Sequence, residues 1–270
     1  MNQVEIDSVT RELPSSWNEL TPRQLLVACR LIIRHVPVTE FKVKVLFQFL
    51  SIGKKLFRKI DPEDVLFLSE TFSFLQDQVS LTRALIPSIR VKRFPWRKLY
   101  GPSDAMQSCT FGEFTKAQIR FEAYNKSQDP QLLNEMVSVL FRPRKSFWWI
   151  RRHFGESTDP RVRFLDRTLP GRAKQMAGVD PAIKYAVQLF FSGVQSAIAE
   201  KFPNVYRHDH SENNSSGNGW ISLVISLADG KTDDQSLDRV MNSNLYNVFF
   251  GLEQKSIEYF ELLAKYEKND

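Results

Sequence analysis

The sequence predicts a mostly α-helical fold, in which helical domains are built from antiparallel helical hairpins, with at most minor β-structure. Apolar residues recur at helical spacing along most of the 270 residues. A capping residue followed by proline begins four predicted helices, and proline suits the first helical turn because its missing N–H would have no partner there. The four pairs are Thr21-Pro22, Asp61-Pro62, Asp129-Pro130 and Asp180-Pro181. No repeat of fixed period is present, which argues against a solenoid.

The N-terminal region, residues 1–101, is predicted to begin with an extended arm over residues 1–20. Three helices follow, and their predicted starts are Thr21, Thr39 and Asp61. The predicted apolar stripe of the second helix is Phe41, Val45, Leu46, Phe49 and Leu50, and that of the third is Val65, Leu66, Leu68, Phe72 and Leu75. The connections between them are short, as antiparallel packing of helices expects. Gly53 is interpreted as a helix C-cap followed by solvated lysines, rather than as part of a phosphate-binding loop.

This region ends in a basic segment, the basic crossing, in which the apolar periodicity is weak. Prolines at positions 87 and 95 prevent a long helix, and residues 91–96 are interpreted as a short strand or an extended segment. Tyr100-Gly101-Pro102 predicts a turn. The basic residues of the crossing are Arg90, Lys92, Arg93, Arg97 and Lys98.

The clearest local prediction is a helical hairpin over residues 109–145. Thr110 and Glu113 have the spacing of a capping box, in which the hydroxyl and the carboxylate each satisfy a backbone amide of the first turn. Residues 125–127 interrupt the pattern, and the second helix follows Asp129. The two predicted apolar stripes are Phe114, Ala117, Phe121 and Tyr124, and then Leu133, Met136, Val137, Leu140 and Phe141.

The C-terminal region, residues 102–270, continues with a basic excursion over residues 142–174. This segment holds ten Lys and Arg against three acidic residues, a net charge of +7, whereas the whole chain carries +6. The basic character is therefore local. Its prolines and glycines predict an irregular path rather than a regular element.

Two long helices are predicted beyond the excursion. The first begins after Asp180, reaches about Lys201 and is apolar around much of its circumference, which favours a central place in the core. Residues 207–219 are polar and predict a flexible loop. Residues 220–228 return to apolar periodicity, and a last amphipathic helix is predicted over Leu245–Tyr266. Its predicted apolar stripe is Val248, Phe249, Leu252, Tyr259, Phe260 and Leu263.

The composition is that of a globular protein without a disulfide framework. The chain is 42% hydrophobic and 25% charged. Cys29 and Cys109 are its two cysteines, and both are interpreted as small buried residues. No apolar run approaches the roughly 20 residues that span a bilayer, and the polar N-terminus predicts no secretory signal. We therefore expect a cytoplasmic protein.

The sequence contains no catalytic or cofactor-binding motif. It has no G-x-x-x-x-G-K-[ST] and no G-x-G-x-x-G after a strand, and no G-x-S-x-G surrounds a serine. His208-Asp209-His210 lacks the further ligands that a metal site needs. Glu113 and Glu122 are interpreted as carboxylates on helix surfaces. We expect no enzyme activity, no cofactor and no metal.

The excursion interleaves aromatic rings with guanidinium groups. Such a surface can bind phosphates and stack bases, or it can insert its rings into a groove on a protein partner. A structural interpretation, in which the rings cover the core of the hairpin and the arginines are solvated, stays open beside these two. The candidate partner-binding residues are Phe147, Trp148, Trp149, Arg151, Arg152, Arg161 and Arg163.

Several short motifs are distributed over most of the chain. They are L-P-x-S-W-x-E-L-T at Leu13–Thr21, Y-G-P-x-D at Tyr100–Asp104, T-x-x-E-F at Thr110–Phe114 and L-x-R-P at Leu140–Pro143, followed by Trp220, Leu227-Ala228 and Asn244-Leu245-Tyr246. Together they resemble small helical proteins from the structural gene clusters of tailed bacteriophages, and are similar in style to tail-assembly chaperones. That resemblance implies a protein that would hold a helical tape-measure protein in solution before the tail tube forms round it.

The leading hypothesis is a non-enzymatic assembly or interaction protein of phage type, possessing a structural or tape-measure-like protein partner and using residues 142–174 as its contact surface. A groove between apolar stripes would suit an amphipathic partner helix. The alternative is a nucleic-acid-binding protein that uses residues 90–98 and 142–174. No membrane partner is expected, and the expected location is the host cytoplasm if the protein is viral, with a place in the virion left open.

Overall fold

The predicted mostly helical fold is confirmed, with two small two-stranded antiparallel sheets beside the helices. The computed structural model describes residues 2–6, 9–92, 97–153, 159–207, 227 and 233–266. The chain forms two compact units. Unit 1 comprises Met1–Ile86 and Asp180–Val194, and unit 2 comprises Pro87–Val179 and Gln195–Asp270. Each unit combines two segments that are distant in the sequence. The regions 1–101 and 102–270, which were defined from the sequence, are each one continuous segment.

Unit 1 contains a β-hairpin, four helices and the first part of a longer helix. Its elements are β1 (Asn2–Ile6), β2 (Val9–Leu13), α1 (Pro22–Ile33), α2 (Val38–Leu50), α3 (Lys54–Phe57), α4 (Pro62–Glu70) and the beginning of α9 (Pro181–Lys201). The predicted extended arm is thus a hairpin, in which Val4 lies opposite Arg11. The chain then enters the core at Leu13 and Trp17, which are 0% and 2% exposed.

Two of the three helix starts predicted within residues 1–101, Thr21 and Asp61, are confirmed by their caps, whereas α2 begins at Val38, before the predicted Thr39, and has no side-chain capping bond. Thr21 forms a complete capping box with Gln24, and Asp61 accepts a hydrogen bond from the backbone N–H of Glu63. Gly53 was wrongly interpreted as a C-cap. Its φ is −68°, it begins α3, and Ser51, at φ 50°, is the left-handed residue that ends α2.

The apolar stripes of α2 and α9 are buried as predicted, but that of α4 is not. Leu66 is 61% exposed and its neighbour Phe67 is 78% exposed. The helix ends at Glu70, so Phe72 and Leu75 reach the core from a separate 3-10 turn. The prediction treated Leu66, Phe72 and Leu75 as residues of one continuous helix. Because α4 ends at Glu70, that assumption placed Leu66 on the wrong face of the helix.

Unit 2 is built around the helical hairpin. Its elements are β3 (Ser88–Val91), β4 (Arg97–Tyr100), α5 (Phe111–Ser127), α6 (Pro130–Leu140), α7 (Trp148–His153), α8 (Leu169–Met176), the end of α9, α10 (Pro203–Arg207), α11 (Asp234–Asn242) and α12 (Leu245–Tyr266). The hairpin is confirmed, and the Asp129 carboxylate caps α6 by accepting a hydrogen bond from Gln131 N. Residues 125–127 continue α5 instead of breaking it, and Gln128 ends the helix at φ 57°.

The basic excursion is more regular than predicted. It contains helices α7 and α8, and Pro170 lies in the first turn of α8 instead of interrupting structure. Arg144 also forms a β-bridge with Arg161. The prediction was wrong because it took Pro170 to interrupt regular structure, whereas a proline in the first turn of a helix is compatible with it.

The last predicted helix is confirmed as α12, whose Phe249 and Leu252 are buried. Tyr259, assigned to its apolar stripe, is 48% exposed, because burial of the stripe is confined to the N-terminal part of the helix. Helix α11 was not predicted. The loop predicted over 207–219, the apolar segment 220–228 and the cluster His208-Asp209-His210 lie outside the described residues, apart from Arg207 and the helical Leu227.

Candidate functional site

A cluster of buried charges connects the start of the excursion to its middle, around residues 159–161. Glu113 Oε1 is 2.7 Å from Arg142 Nη1, and Glu113 Oε2 is 3.1 Å from Arg161 Nη2. Asp159 Oδ1 is 2.9 Å from Arg161 Nε. The side chains of both arginines are 0% exposed. Charges this deeply buried are tolerated because each one faces an opposite charge.

Glu113 is therefore not the surface carboxylate that the capping box predicted. Thr110 does cap α5 by accepting a hydrogen bond from Glu113 N. The carboxylate of Glu113 instead lies between Arg142 and Arg161, and the residue is 4% exposed. Two guanidinium groups attract a carboxylate more strongly than one neutral amide does.

The protonation states of the cluster follow from its burial. Burial raises the pKa of the Cys109 thiol to about 12, so that the thiol is neutral at pH 7. Burial opposes the charge on Arg161, yet the pKa of Arg161 is raised, with Cys109, Glu113 and Asp159 as its neighbours. Since Cys109 is neutral, the two carboxylates hold the Arg161 charge at physiological pH.

A third arginine makes the cluster electropositive. Arg172 is 8% exposed, and its Nε and Nη2 have no hydrogen-bond partner among the residues that the structure describes. Burial and the nearby Arg142 lower the pKa of Arg172 to about 10. The guanidinium lies 5.6 Å from the centre of the Phe164 ring. Three arginines thus share two carboxylates in this interior.

Backbone hydrogen bonds close the base of the excursion next to this cluster. Lys145 N donates to Pro160 O at 2.8 Å, and Val162 N donates to Pro143 O at 2.9 Å. On its other side, Arg142 exchanges two hydrogen bonds with Tyr100, at 2.8 and 3.0 Å. The start of the excursion is therefore bound both to residues 160–162, in its middle, and to strand β4.

The β3–β4 ribbon presents cations on its outer face. Ile89 and Leu99 lie opposite each other and are buried, at 2% and 1% exposure. The next pair, Arg90 and Lys98, lies opposite across the strands and is exposed. Side chains alternate between the two faces of a strand, so the inner face joins the core and the outer face carries the charge.

Tyr100 joins this ribbon to the excursion. Lys98 Nζ lies 5.2 Å from the centre of the Tyr100 ring, and the guanidinium carbon of Arg144 lies 5.7 Å from it. The same guanidinium lies 4.5 Å from the centre of the Trp148 ring, within cation–π range. We call this set, Arg90, Lys98, Tyr100, Arg144 and Trp148, the basic–aromatic surface.

The described acids of the two basic segments are already engaged. Asp159 belongs to the buried cluster, and Asp166 forms an ion pair of 3.2 Å with Lys116. Residues 87–101 contain five Lys and Arg and no acid. Within the described part of these segments, no carboxylate therefore neutralises the basic–aromatic surface.

The structure places the predicted partner-binding residues in different environments. Phe147 is 71% exposed, Trp148 is half-buried below Arg144, and Arg163 is exposed. Arg161 is 1% exposed and belongs to the buried cluster, so its guanidinium is not on the surface. The side chains of Trp149, Arg151 and Arg152 lie outside the described part of the structure, and contact of the exposed residues with a partner stays a prediction.

Sequence reasoning missed Tyr100 and Arg144 as members of this surface. Tyr100 was interpreted as part of a turn, and Arg144 was one of many bases. A usable signal existed in residues 88–92, where apolar residues alternate with cations as in a strand with one buried face.

A cavity of about 610 Å³ opens beside the buried cluster. Lys145, Arg163 and Arg239 line it together with Glu113, Asp159 and Asp238. With Arg161 the lining holds four bases and three acids, so the cavity presents no field of one sign and does not extend the basic–aromatic surface.

The described residues contain neither a metal-binding cluster nor a membrane-spanning helix. Among the described residues, no group of three or more His, Cys, Asp or Glu side chains is placed to hold a metal ion. No helix in the described ranges is long and apolar enough to cross a membrane.

Comparison with known proteins finds no matching family model, curated protein or solved structure. The resemblance to tail-assembly chaperones therefore stays a prediction, and the geometry of the chain itself is the basis for a functional proposal.

Proposed function

We propose that this protein is a non-enzymatic nucleic-acid-binding protein and that the basic–aromatic surface of unit 2 contacts the phosphates. One observation supports this choice over the other interpretations. The two basic segments, far apart in sequence, meet at Tyr100, where Lys98 and Arg144 both lie over the ring. A surface that concentrates cations and rings suits a polyanion that also has flat bases.

The arrangement of the cations has a cost in stability. Arg90 and Lys98 lie directly opposite across two strands, and like charges at such positions destabilise a sheet. An acidic residue at either position would remove this repulsion. A bound phosphate backbone removes it as well, and releases counterions from the nucleic acid.

Fluorescence anisotropy with a labelled oligonucleotide tests this proposal as a function of salt. We expect the logarithm of the association constant to fall linearly between about 50 and 200 mM salt, as phosphate binding requires. The double variant Arg90→Ser/Lys98→Ser should bind more weakly and lower the salt slope by roughly two, one per lost phosphate contact. No measurable binding of the wild-type protein at the lowest salt would exclude the proposal.

A matched control is available in unit 1. Lys54 and Lys55 are exposed neighbours on α3. The variant Lys54→Ser/Lys55→Ser removes the same formal charge from the chain without touching the basic–aromatic surface. If it weakened binding as much as the first variant did, total charge rather than this surface would be responsible.

A second function, assembly of a protein partner, is favoured by a groove in unit 1. The groove has a volume of about 670 Å³ and includes Leu56, Ile60 and Leu68 in its lining, with the 78% exposed Phe67 at its edge. An amphipathic helix, such as one in a tape-measure-like protein, presents apolar residues that fit such a lining. Co-expression with a tape-measure-like gene product should keep that product soluble, and Phe67→Ser should abolish the effect. Unchanged solubility of the product in the presence of the wild-type protein would refute this role.

A further inference from the structure

We propose that the basic–aromatic surface takes single-stranded rather than double-stranded nucleic acid and that Phe147 stacks on an unpaired base. This inference rests on the proposed nucleic-acid function and goes further, because it assigns the strandedness of the ligand and a residue that senses it. Two properties of Phe147, its backbone conformation and its exposure, support it together with its position beside Trp148.

Phe147 has a backbone conformation that an aromatic residue rarely adopts. Its φ is 54°, in the left-handed region that is unfavourable for residues with a Cβ atom. His35, Ser51 and Gln128 share this conformation, but they lie at the C-terminal ends of helices, where it is common. Phe147 instead precedes helix α7, and its carbonyl accepts a hydrogen bond from Ile150 N at 3.0 Å.

The conformation of Phe147 is not offset by burial. The residue is 71% exposed, whereas Met106, another apolar residue at positive φ, is completely buried. An exposed aromatic ring gains little from the hydrophobic effect. Strained residues that gain nothing within the fold are frequent at ligand-binding sites, and the left-handed backbone here holds a large ring in solvent.

The position of Phe147 fits an aromatic platform beside phosphate-binding cations. It directly precedes Trp148, whose ring has Arg144 at 4.5 Å from its centre. Arg144 thus covers a face of Trp148 and lies over Tyr100, while Phe147 keeps most of its surface accessible. A strand bound to Lys98 and Arg144 by its phosphates would bring bases within reach of the Phe147 ring.

The preference for a single strand follows from the accessibility of the base faces. In a duplex each base is stacked between its neighbours, and its face cannot receive a side chain unless the helix is distorted. In a single strand the faces are accessible, and aromatic stacking binds every base type. A basic β-ribbon can also enter the major groove of a duplex, and duplex binding is therefore an outcome that the test must distinguish.

The experiment compares four labelled probes in anisotropy titrations at one salt concentration. The probes are oligodeoxythymidine, oligouridine, a duplex of the same length and polyglutamate. We expect the two single strands to bind at least tenfold more tightly than the duplex, consistent with the strength of base stacking. The relative affinities of oligodeoxythymidine and oligouridine identify DNA or RNA as the preferred source.

Phe147→Gly is the decisive variant. Glycine adopts a positive φ without strain, so this variant should unfold at a temperature equal to or above that of the wild-type protein. We nevertheless expect it to lose about tenfold in affinity for the single strands and to retain its salt slope and its duplex affinity. Phe147→Trp should restore single-strand binding. Phe250→Ser, at an exposed aromatic position on α12, is the matched control and should bind as the wild-type protein does.

Several results would overturn the inference. Equal affinity for duplex and single strand, or unchanged single-strand binding by Phe147→Gly, would refute it and leave the proposed nucleic-acid function intact. Polyglutamate binding as tightly as the single strands would show that the surface recognises acidic protein rather than bases. Failure of all nucleic-acid probes to bind would instead refute the proposed function itself.

Discussion

Glu113 and Arg142 form an ion pair of 2.7 Å inside unit 2, with side-chain exposures of 5% and 0%. The pair connects the first turn of α5 to the start of the basic excursion. Arg142 also exchanges backbone hydrogen bonds with Tyr100, so this contact positions the excursion beside strand β4. The surface that we propose to bind nucleic acid therefore depends on a charge pair in the interior.

Removal of the Glu113 charge should destabilise the protein strongly. Glu113→Gln keeps the shape of the side chain but leaves Arg142 and Arg161 with Asp159 alone. Loss of one partner from a buried ion pair costs about 3–5 kcal/mol, and we expect a decrease of this size in the free energy of unfolding, measured in urea. Glu122→Gln on the same helix is the control and should change the stability by less than about 0.5 kcal/mol. Equal effects of the two variants would contradict the role of the cluster.

Removal of the surplus arginine should have the opposite effect. Arg172 is almost completely buried, and its Nε and Nη2 lack hydrogen-bond partners. Arg172→Met keeps an apolar side chain of similar length and removes polar atoms whose unsatisfied burial costs about 1–3 kcal/mol. We expect the free energy of unfolding to rise by about 1 kcal/mol in a denaturant titration. A decrease in stability would mean that the Arg172 charge supports the fold.

Cys29 should make stability fall at alkaline pH. Burial raises the pKa of its thiol from 9.0 to about 12. As the pH rises above 9, the unfolded chain loses this proton first, so the unfolded state is favoured and stability is lost progressively up to about pH 12. At pH 10, one unit above the unfolded-state pKa, the loss from Cys29 should be about 1.4 kcal/mol, because one pKa unit corresponds to about that free energy.

Cys29→Ala measures this contribution, with Cys109 common to both proteins. The variant should be less stable than the wild-type protein at pH 7.5 because a small cavity replaces the sulfur atom. The difference should shrink by about 1.4 kcal/mol when the urea titrations are repeated at pH 10. A stability difference that stays constant with pH would show that the Cys29 thiol ionises as readily in the folded protein as in the unfolded chain.

Gly193 is required by a close approach of backbones within unit 1. A Cβ atom at this position of α9 would overlap Leu81 O and lie 2.6 Å from Leu81 N. Gly193→Ala should therefore cost about 1–3 kcal/mol through overpacking, although alanine is the better helix former. Gly171 in α8 has no atom within 4 Å of such a Cβ, so Gly171→Ala is the control and should stabilise the protein by roughly 0.5–1 kcal/mol. Thermal unfolding of the two variants should shift in opposite directions, and a common direction would contradict the packing argument.

Arg90→Glu should exchange binding for stability. The new carboxylate would face Lys98 across the β3–β4 ribbon, and an opposite-charge pair at such a position contributes about 0.2–1 kcal/mol. We expect a small rise in the unfolding temperature, larger at low salt because salt screens exposed charges, and a loss of nucleic-acid affinity. A variant that lost stability would show that Arg90 and Lys98 do not repel each other.

Local elements were predictable wherever neighbouring residues decide them. Thr21, Asp129 and Asp180 precede proline and cap their helices as predicted, because a side-chain oxygen and a backbone N–H within three residues make the bond. The bounds Leu245–Tyr266 were also correct. Gly53 shows the limit, since the same residue type occurs at both ends of helices and only its φ angle distinguishes them.

Burial of charged residues was not predictable in the same way. Arg142 and Arg161 have the same residue type as the exposed Arg144 and Arg163, and nothing in their local sequence separates them. Their burial depends on Glu113 and Asp159, which the fold brings into hydrogen-bond range.

By itself, the sequence determined the helical class, most helix starts, the apolar stripes of the hairpin and the local excess of basic charge. These properties follow from spacing and from interactions within a few residues. Only the tertiary structure decided which arginines are buried and that Glu113 neutralises them. It also decided that Arg90 and Lys98 of the β3–β4 ribbon lie in one surface around Tyr100 with Arg144 and Trp148 of the excursion. These ion pairs and contacts join residues that are distant in the sequence. The free energy of a buried ion pair depends on the packing that removes both charges from water.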